Sequence, residues 1–232
     1  FKRLQLTLGF LTGKPLSVAN FYTSILQKKF DQYLGNSHFD VIFCTSSSMS
    51  EYVFKSDYLK SLKSTSSTAP LLFMDFMDLD SDKWSQYASN AKWPMSWVYR
   101  RESRLLGQYE ARVQREFDAS FFISQAEVDL FRVRFVSTEK IHVLGNGIDG
   151  DYFMPPTVEP NNNAPVFIFT GVMDYKPNID AVRWIVNNAW QQIIDLYPGA
   201  RFIIAGMNPT ANILALAKLP GIEVTGFVDD IL

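Results

Sequence analysis

Two α/β domains, each built around a parallel sheet, are what this sequence predicts, and three observations predict it. Seven short β-rich runs lie at residues 39–45, 71–75, 119–124, 140–144, 166–170, 201–205 and 222–226, and most are continuously apolar. That pattern, in place of strict alternation, marks strands covered on both faces. Helical stretches separate the runs, and strands alternating with helices imply right-handed β-α-β units in a doubly wound sheet. Finally, the pattern breaks once, over residues 147–165, and restarts on the far side.

The helices have recognisable signals. Residues 94–117 read as a long helix, with Pro94 suited to the first turn and an apolar stripe through Met95, Val98, Leu105, Tyr109 and Val113. A shorter one runs from 125 to 136. In the second half Val182, Ile185, Val186, Ala189, Ile193 and Leu196 follow helical spacing, with Asn178 and Asp180 near the start and Pro198-Gly199 as the stop. The break itself crowds Asp149, Gly150, Asp151, Pro155, Pro156, Pro160, three asparagines and Pro165 into a span of little apolar content. Such composition favours extended, turn-rich chain. It reads as a linker at 151–165 between a first domain, 1–150, and the first half of a second, 166–232; a long surface loop is the alternative.

Composition narrows the function classes. A hydrophobic fraction of 47% supports packed cores and excludes a disordered chain. The net charge of -2 gives no overall attraction to nucleic acid. The single cysteine, Cys44, has no partner within the chain, which suits a reducing, cytoplasmic setting. No apolar run approaches the ~20 residues that span a bilayer. Residues 1–30, however, carry Lys2, Arg3, Lys14, Lys28 and Lys29 and no acid, beside Phe1, Leu4, Leu6, Leu8, Phe10 and Leu11. They form either a solvated face with an inward-packing element or a surface for peripheral membrane contact.

Two strands run into glycines, Phe169-Thr170-Gly171 and Ile204-Ala205-Gly206. A glycine at a strand's carboxyl end lets backbone N–H groups approach a phosphate, and a following helix N-terminus adds partial positive charge. Tight turns alone would use the same residues.

The order of motifs then carries a resemblance. Gly145-Asn146-Gly147-Ile148-Asp149, the segment Phe169 to Asn178, Tyr197-Pro198-Gly199 through Gly206, and Val224-Thr225-Gly226-Phe227-Val228 follow one another. Together they resemble the junction and second domain of retaining glycosyltransferases of the B-type, two-Rossmann fold. Asp75 through Trp84, then Trp93-Pro94-Met95-Ser96-Trp97-Val98-Tyr99-Arg100-Arg101-Glu102, resemble the sugar transferases that accompany exosortase and exopolysaccharide systems. The implied fold is α/β: two Rossmann-like domains with parallel sheets (GT-B type), both incomplete. The resemblance implies a nucleotide-sugar donor as co-substrate with no other cofactor, a saccharide or lipid-linked acceptor, and a cleft between the domains. Gly171, Asn178 and Gly206 would hold the donor phosphates; Asn146, Gly147 and Asp149 would form the interdomain junction. Departures are Gly145 where the family has proline, Val172 where relatives carry arginine, and Lys176 one position short of the family's lysine. The family's paired glutamates would fall past Leu232 and its first glycine-rich loop before Phe1, so this chain is expected to be a fragment, inactive alone.

The acidic cluster Asp75, Asp78, Asp80 and Asp82 lies where a strand emerges into a loop. A carboxylate there can orient an acceptor hydroxyl, take its proton or face positive charge at an anomeric carbon. Asp75 and Asp78 are the catalytic candidates, with Asp80, Asp82 and Trp84 on the acceptor side. Two other readings stay open: a solvated loop with Asp80 or Ser81 as N-cap, and a D-x-D cation site at Asp78 and Asp80, though no metal is assigned. Trp84, Trp93, Trp97 and Tyr99 either stack on sugar rings or fill the core. His38 and His142, with one cysteine, make no zinc cluster, and His142 reads as structural. Hydrolase elbows and P-loops are absent.

Overall fold

The computed structural model describes residues 9–10, 12–65, 69–135, 139–154 and 164–229. Its contacts divide the chain into two compact units, Phe1–Gly147 and Ile148–Leu232. Most of the stretch read as a linker, residues 155–163, lies outside the described residues, as do Phe1 to Leu8, Leu11, Val136 and the last three positions.

The first unit runs α1 (Leu16–Phe21), α2 (Ser24–Asn36), β1 (Val41–Thr45), α3 (Ser50–Lys55), α4 (Asp57–Thr65), β2 (Leu71–Met77), α5 (Asp80–Asn90), α6 (Met95–Glu116), β3 (Ala119–Phe122), α7 (Gln125–Arg134) and β4 (Ile141–Val143). Its four strands pair in parallel in the order β1-β2-β3-β4. One sheet face supplies Ile42, Cys44, Leu72, Met74, Phe76 and Phe122 to a core closed by Val113 of α6, Phe117 just after it, and Val128 and Phe131 of α7. The expectation of strands covered on both faces fails here. Val41, Phe43 and Leu71 on the other face are exposed, and Phe43, Phe73 and His142 meet only each other's neighbour Phe121 ring-to-ring. The apolar runs are real, but among the described residues helices pack on one side only. His142, read as structural, is exposed on that open face.

The long helix matches its predicted span, yet its buried stripe differs from the predicted one. Met95 is exposed, whereas Glu102, Leu106, Gly107, Glu110, Val113 and Gln114 are buried. Polar side chains face inward because each Glu meets unpaired backbone donors of another helix. Glu102 accepts from Leu16 N (2.7 Å) and Ser17 N (2.8 Å), so it satisfies the free amides that open α1.

The second unit holds β5 (Val166–Thr170), α8 (Lys176–Ile185), α9 (Gln191–Leu196), β6 (Arg201–Ala205), α10 (Ala211–Leu214) and β7 (Ile222–Gly226), with a parallel sheet ordered β5-β6-β7. Both sheets are smaller than a six-stranded Rossmann sheet. The helix read as one periodic run through Leu196 is interrupted by a π-helical segment, Val186–Trp190, between α8 and α9. That extra residue shifts the register. Trp190 turns inward, 4% exposed, while Leu196 faces solvent. The indole packs on Phe202 (5.6 Å between ring centroids), and its Nε1 donates to Pro220 O at 2.9 Å. Truncating Trp190 to Ala is therefore expected to cost about 3–5 kcal/mol in urea unfolding. Trp190→Phe, which keeps most of the ring but loses the hydrogen bond, should cost less.

Candidate functional site

In the second unit the three strands end in glycines. Gly171 follows β5, Gly206 follows β6, and Gly226 closes β7. Backbone bonds link the row: Gly171 N donates to Ala205 O (3.1 Å) and Gly206 N to Gly226 O (2.9 Å). Gly206 sits at φ +151°, and a Cβ on it would lie 1.7 Å from Gly171 O, so no side chain fits. Gly226 is left-handed at φ +73°. At Gly171 a Cβ would meet Asn178 Nδ2 at 2.6 Å. Asn178 stands in the first turn of α8, and that same Nδ2 donates to Val172 O at 3.0 Å. Its amide thus braces the strand-to-helix turn; a phosphate role for Asn178 would have to share that donor. Asn208, at φ 57°, donates to Asp174 Oδ2 (3.3 Å) and ties the β5 and β6 turns together. Lys176 pairs with Asp180 on its own helix. The result is a strip of glycine backbone with the Asn178 side chain packed against Gly171, Gly171 N and Gly206 N spent on bonds within the row, and the N-terminus of α8 following the Gly171 turn. That chemistry suits an anionic group.

The first unit concentrates its unusual geometry at the carboxyl ends of β1 and β2. Ser46 (φ 70°) and Met77 (φ 63°) occupy the left-handed region without being glycine. Such conformations cost of order 1–3 kcal/mol each and persist only where the surroundings enforce them. Ser46 N donates to Asp75 O (2.8 Å), and Asp75 Oδ1 accepts from Met77 N (3.0 Å) across a bulge in β2. Asp75 therefore shapes the turn that presents Asp78. Asp78 is exposed and, among the described residues, makes no hydrogen bond or ion pair. Asp80 pairs with Lys83 (2.7 Å), and Asp82 is held by Arg134 and Gln86. Of the four acids, only Asp78 keeps its carboxylate uncommitted.

The helix after this loop is not capped as the sequence suggested. Its N-cap is Leu79, with Asp80 in the first turn and no side-chain cap of its own. Carboxyl groups from other helices do the work: Leu79 N donates to Glu127 Oε2 (2.8 Å) and Ser81 N to Glu110 Oε1 (3.1 Å). Asp78 lies just outside this pair of clamps. Burial pushes Glu110 up to about 8, with the Ser81 hydrogen bonds acting against it, and its Oε2 has no partner among the described residues. Burial likewise pushes the Cys44 thiol up to about 11, away from any nucleophilic role near neutrality.

Trp84 packs against Tyr99 (5.4 Å) and Tyr87 (5.8 Å), part-exposed, and with Tyr99 lines a cavity of about 360 Å³ between α1, α5 and α6. Trp84 and Tyr99 thus pack on each other, while Trp93 and Trp97 are exposed. The junction residues are less built. Asn146, Gly147 and Asp149 are all exposed, and nothing lies within 4 Å of a Cβ placed on Gly147. Asp149 Oδ1 accepts from Asp151 N and Tyr152 N, which makes it a local turn former. Among the described residues no group of three His, Cys, Asp or Glu converges as a metal site.

No protein-family model matches the chain, and no curated protein matches it significantly in sequence. Among solved structures it is similar to sucrose-phosphate synthase from Thermosynechococcus elongatus, with a TM-score of 0.58 at 12% identity. The match covers 88% of this chain and 49% of that one, so the chain spans about half the length of that protein. The fold is that of the B-type, two-Rossmann glycosyltransferases. At this identity the likeness speaks to fold alone. The glycine row was half legible: Gly171 and Gly206 announce themselves after apolar strands, and Gly226 carries the same signal on β7. Nothing in the sequence marks Ser46, Met77, Glu110 or Glu127.

Proposed function

We propose that this chain forms part of a glycosyltransferase that moves a sugar from a nucleotide-sugar donor to a saccharide or lipid-linked acceptor, in exopolysaccharide or other cell-surface glycan synthesis. One observation supports it most: Gly171, Gly206 and Gly226 place glycine at the ends of three neighbouring parallel strands, beside a helix N-terminus. The donor diphosphate lies along that strip, where the partial positive charge at the N-terminus of α8 stabilises the charge that grows on the leaving group. Asn146, Gly147 and Asp149 carry the chain from one unit to the next. On the first unit, Asp78 holds the acceptor hydroxyl and takes its proton as that oxygen bonds to the anomeric carbon. The bond from that carbon to the phosphate oxygen breaks, and the nucleoside diphosphate leaves with the electron pair. The family resemblance implies retention at that carbon. Asp75 positions Asp78 through the Met77 turn, while Trp84 and the Asp80 and Asp82 pairs shape the acceptor side.

The test is acceptor-dependent release of nucleoside diphosphate by the full-length protein from a panel of nucleotide sugars. Asp78→Asn is expected to lower kcat by about 10²–10⁴-fold. Asp82→Asn, which breaks the Arg134 pair, should act mainly on stability. Turnover that survives EDTA separates this chemistry from a cation held by Asp78 and Asp80. Wild-type turnover in Asp78→Asn would remove Asp78 from the mechanism.

A further inference from the structure

The basic surface expected at the N-terminus rests largely on positions outside the described residues, and Lys14 is committed to Glu51 at 3.4 Å. A different surface has the required chemistry. From Lys83 to Arg101 the chain contains Lys83, Lys92, Arg100 and Arg101 and no acid. The start of α6 raises Trp93 (82% exposed), Met95 (44%) and Trp97 (53%) into solvent. Trp97, Arg100, Arg101 and Arg104 lie at helical spacing on one face and line a groove of about 360 Å³. Arg101 is the brace of this ridge: it donates to Phe10 O (2.8 Å) and Lys14 O (3.3 Å) and lies over the Phe10 ring, which packs on Trp97. Arg100 and Arg104 have no acidic partner among the described residues.

Exposed indole surface is unfavourable in water, and indoles beside unpaired guanidinium groups are well placed at a lipid headgroup layer. There the indole enters the interface and the cations meet anionic phosphates. Nucleic acid fits less well, since the chain as a whole is acidic, at -2. We infer that the Trp93–Trp97–Arg100–Arg104 ridge of α6 docks the protein on an anionic membrane surface. This inference is independent of the donor-site reading; its link to a lipid-linked acceptor rests on the proposed function.

The test is flotation of the full-length protein with vesicles of phosphatidylcholine containing about 30% phosphatidylglycerol, at about 0.05 M and about 0.5 M salt. Binding is expected at low salt, weakened at high salt, and absent on phosphatidylcholine alone. Arg100→Glu with Arg104→Glu, and separately Trp97→Ala, should each lower partitioning about tenfold or more. Arg100→Lys with Arg104→Lys should retain it, because a membrane surface reads charge more than fork geometry. No binding to anionic vesicles, equal binding by the double-Glu variant with its fold intact, or stronger binding to duplex DNA than to vesicles would overturn the inference.

Discussion

Replacing Gly206 with alanine is expected to unfold the second unit or cost at least about 4 kcal/mol, far more than a typical glycine substitution. Two independent effects combine. The residue sits at φ +151°, where L side chains are strained, and its Cβ would fall 1.7 Å from a backbone oxygen, Gly171 O. A flexible side chain could yield; the Gly171 main chain is held directly after β5 by its N–H bond to Ala205 O and gives way less readily. Gly147→Ala provides the contrast. Nothing lies within 4 Å of that Cβ, and the change should be near neutral. Urea midpoints of both variants check the pair. A mild effect at Gly206 would mean that the glycine strip can open and is no rigid phosphate cradle.

The second large effect is pH-dependent and belongs to Glu110. This carboxyl is fully buried, titrates at about 8 instead of 4.5, and bonds Ser81 N at the root of the Asp78 loop. Its folded value is raised, so between about 4.5 and about 8 the folded state keeps a proton that the unfolded chain has released. Stability must then fall as pH rises through that window, by up to about 1.4 kcal/mol per pH unit. Glu110→Gln keeps an acceptor for Ser81 N and cannot ionise. Compared with it, the wild-type protein should lose stability between pH 5.5 and pH 7.5 by about 2–3 kcal/mol, read from denaturation midpoints. Parallel pH profiles for the two proteins would show that Glu110 is not the buried acid described here. A steeper fall in the variant would reverse the sign and contradict the linkage outright.

These two residues also show what was legible in the sequence. Gly206 was legible because a strand-terminal glycine follows directly from an apolar run, and the physics is local. Glu110 was not. In sequence it looks like one more polar residue on a long amphipathic helix, and only tertiary packing shows that it faces the open N-terminus of α5. The same reason explains Glu102 at α1 and Glu127 at Leu79. Strand positions were read well, since continuous apolar runs mark them, but the covering of the sheet was not. Val41, Phe43 and Leu71 have core composition and lie exposed. The π segment before Trp190 escaped because periodicity assumes an unbroken α-helix. Among the acids, spacing could not separate Asp78 from its neighbours. Arg134, which holds Asp82, is 52 residues away in the chain.

The central claim is that the glycine strip of the second unit binds the donor diphosphate. Amide NMR of the full-length protein titrated with nucleoside diphosphates in the presence of EDTA tests it most directly. Saturable shifts are expected, centred on Gly171, Val172, Gly206 and Gly226 and larger for a diphosphate than for the matching nucleoside. Saturable binding of those nucleotides that leaves these four amides unmoved, or no binding by any of them, would contradict it.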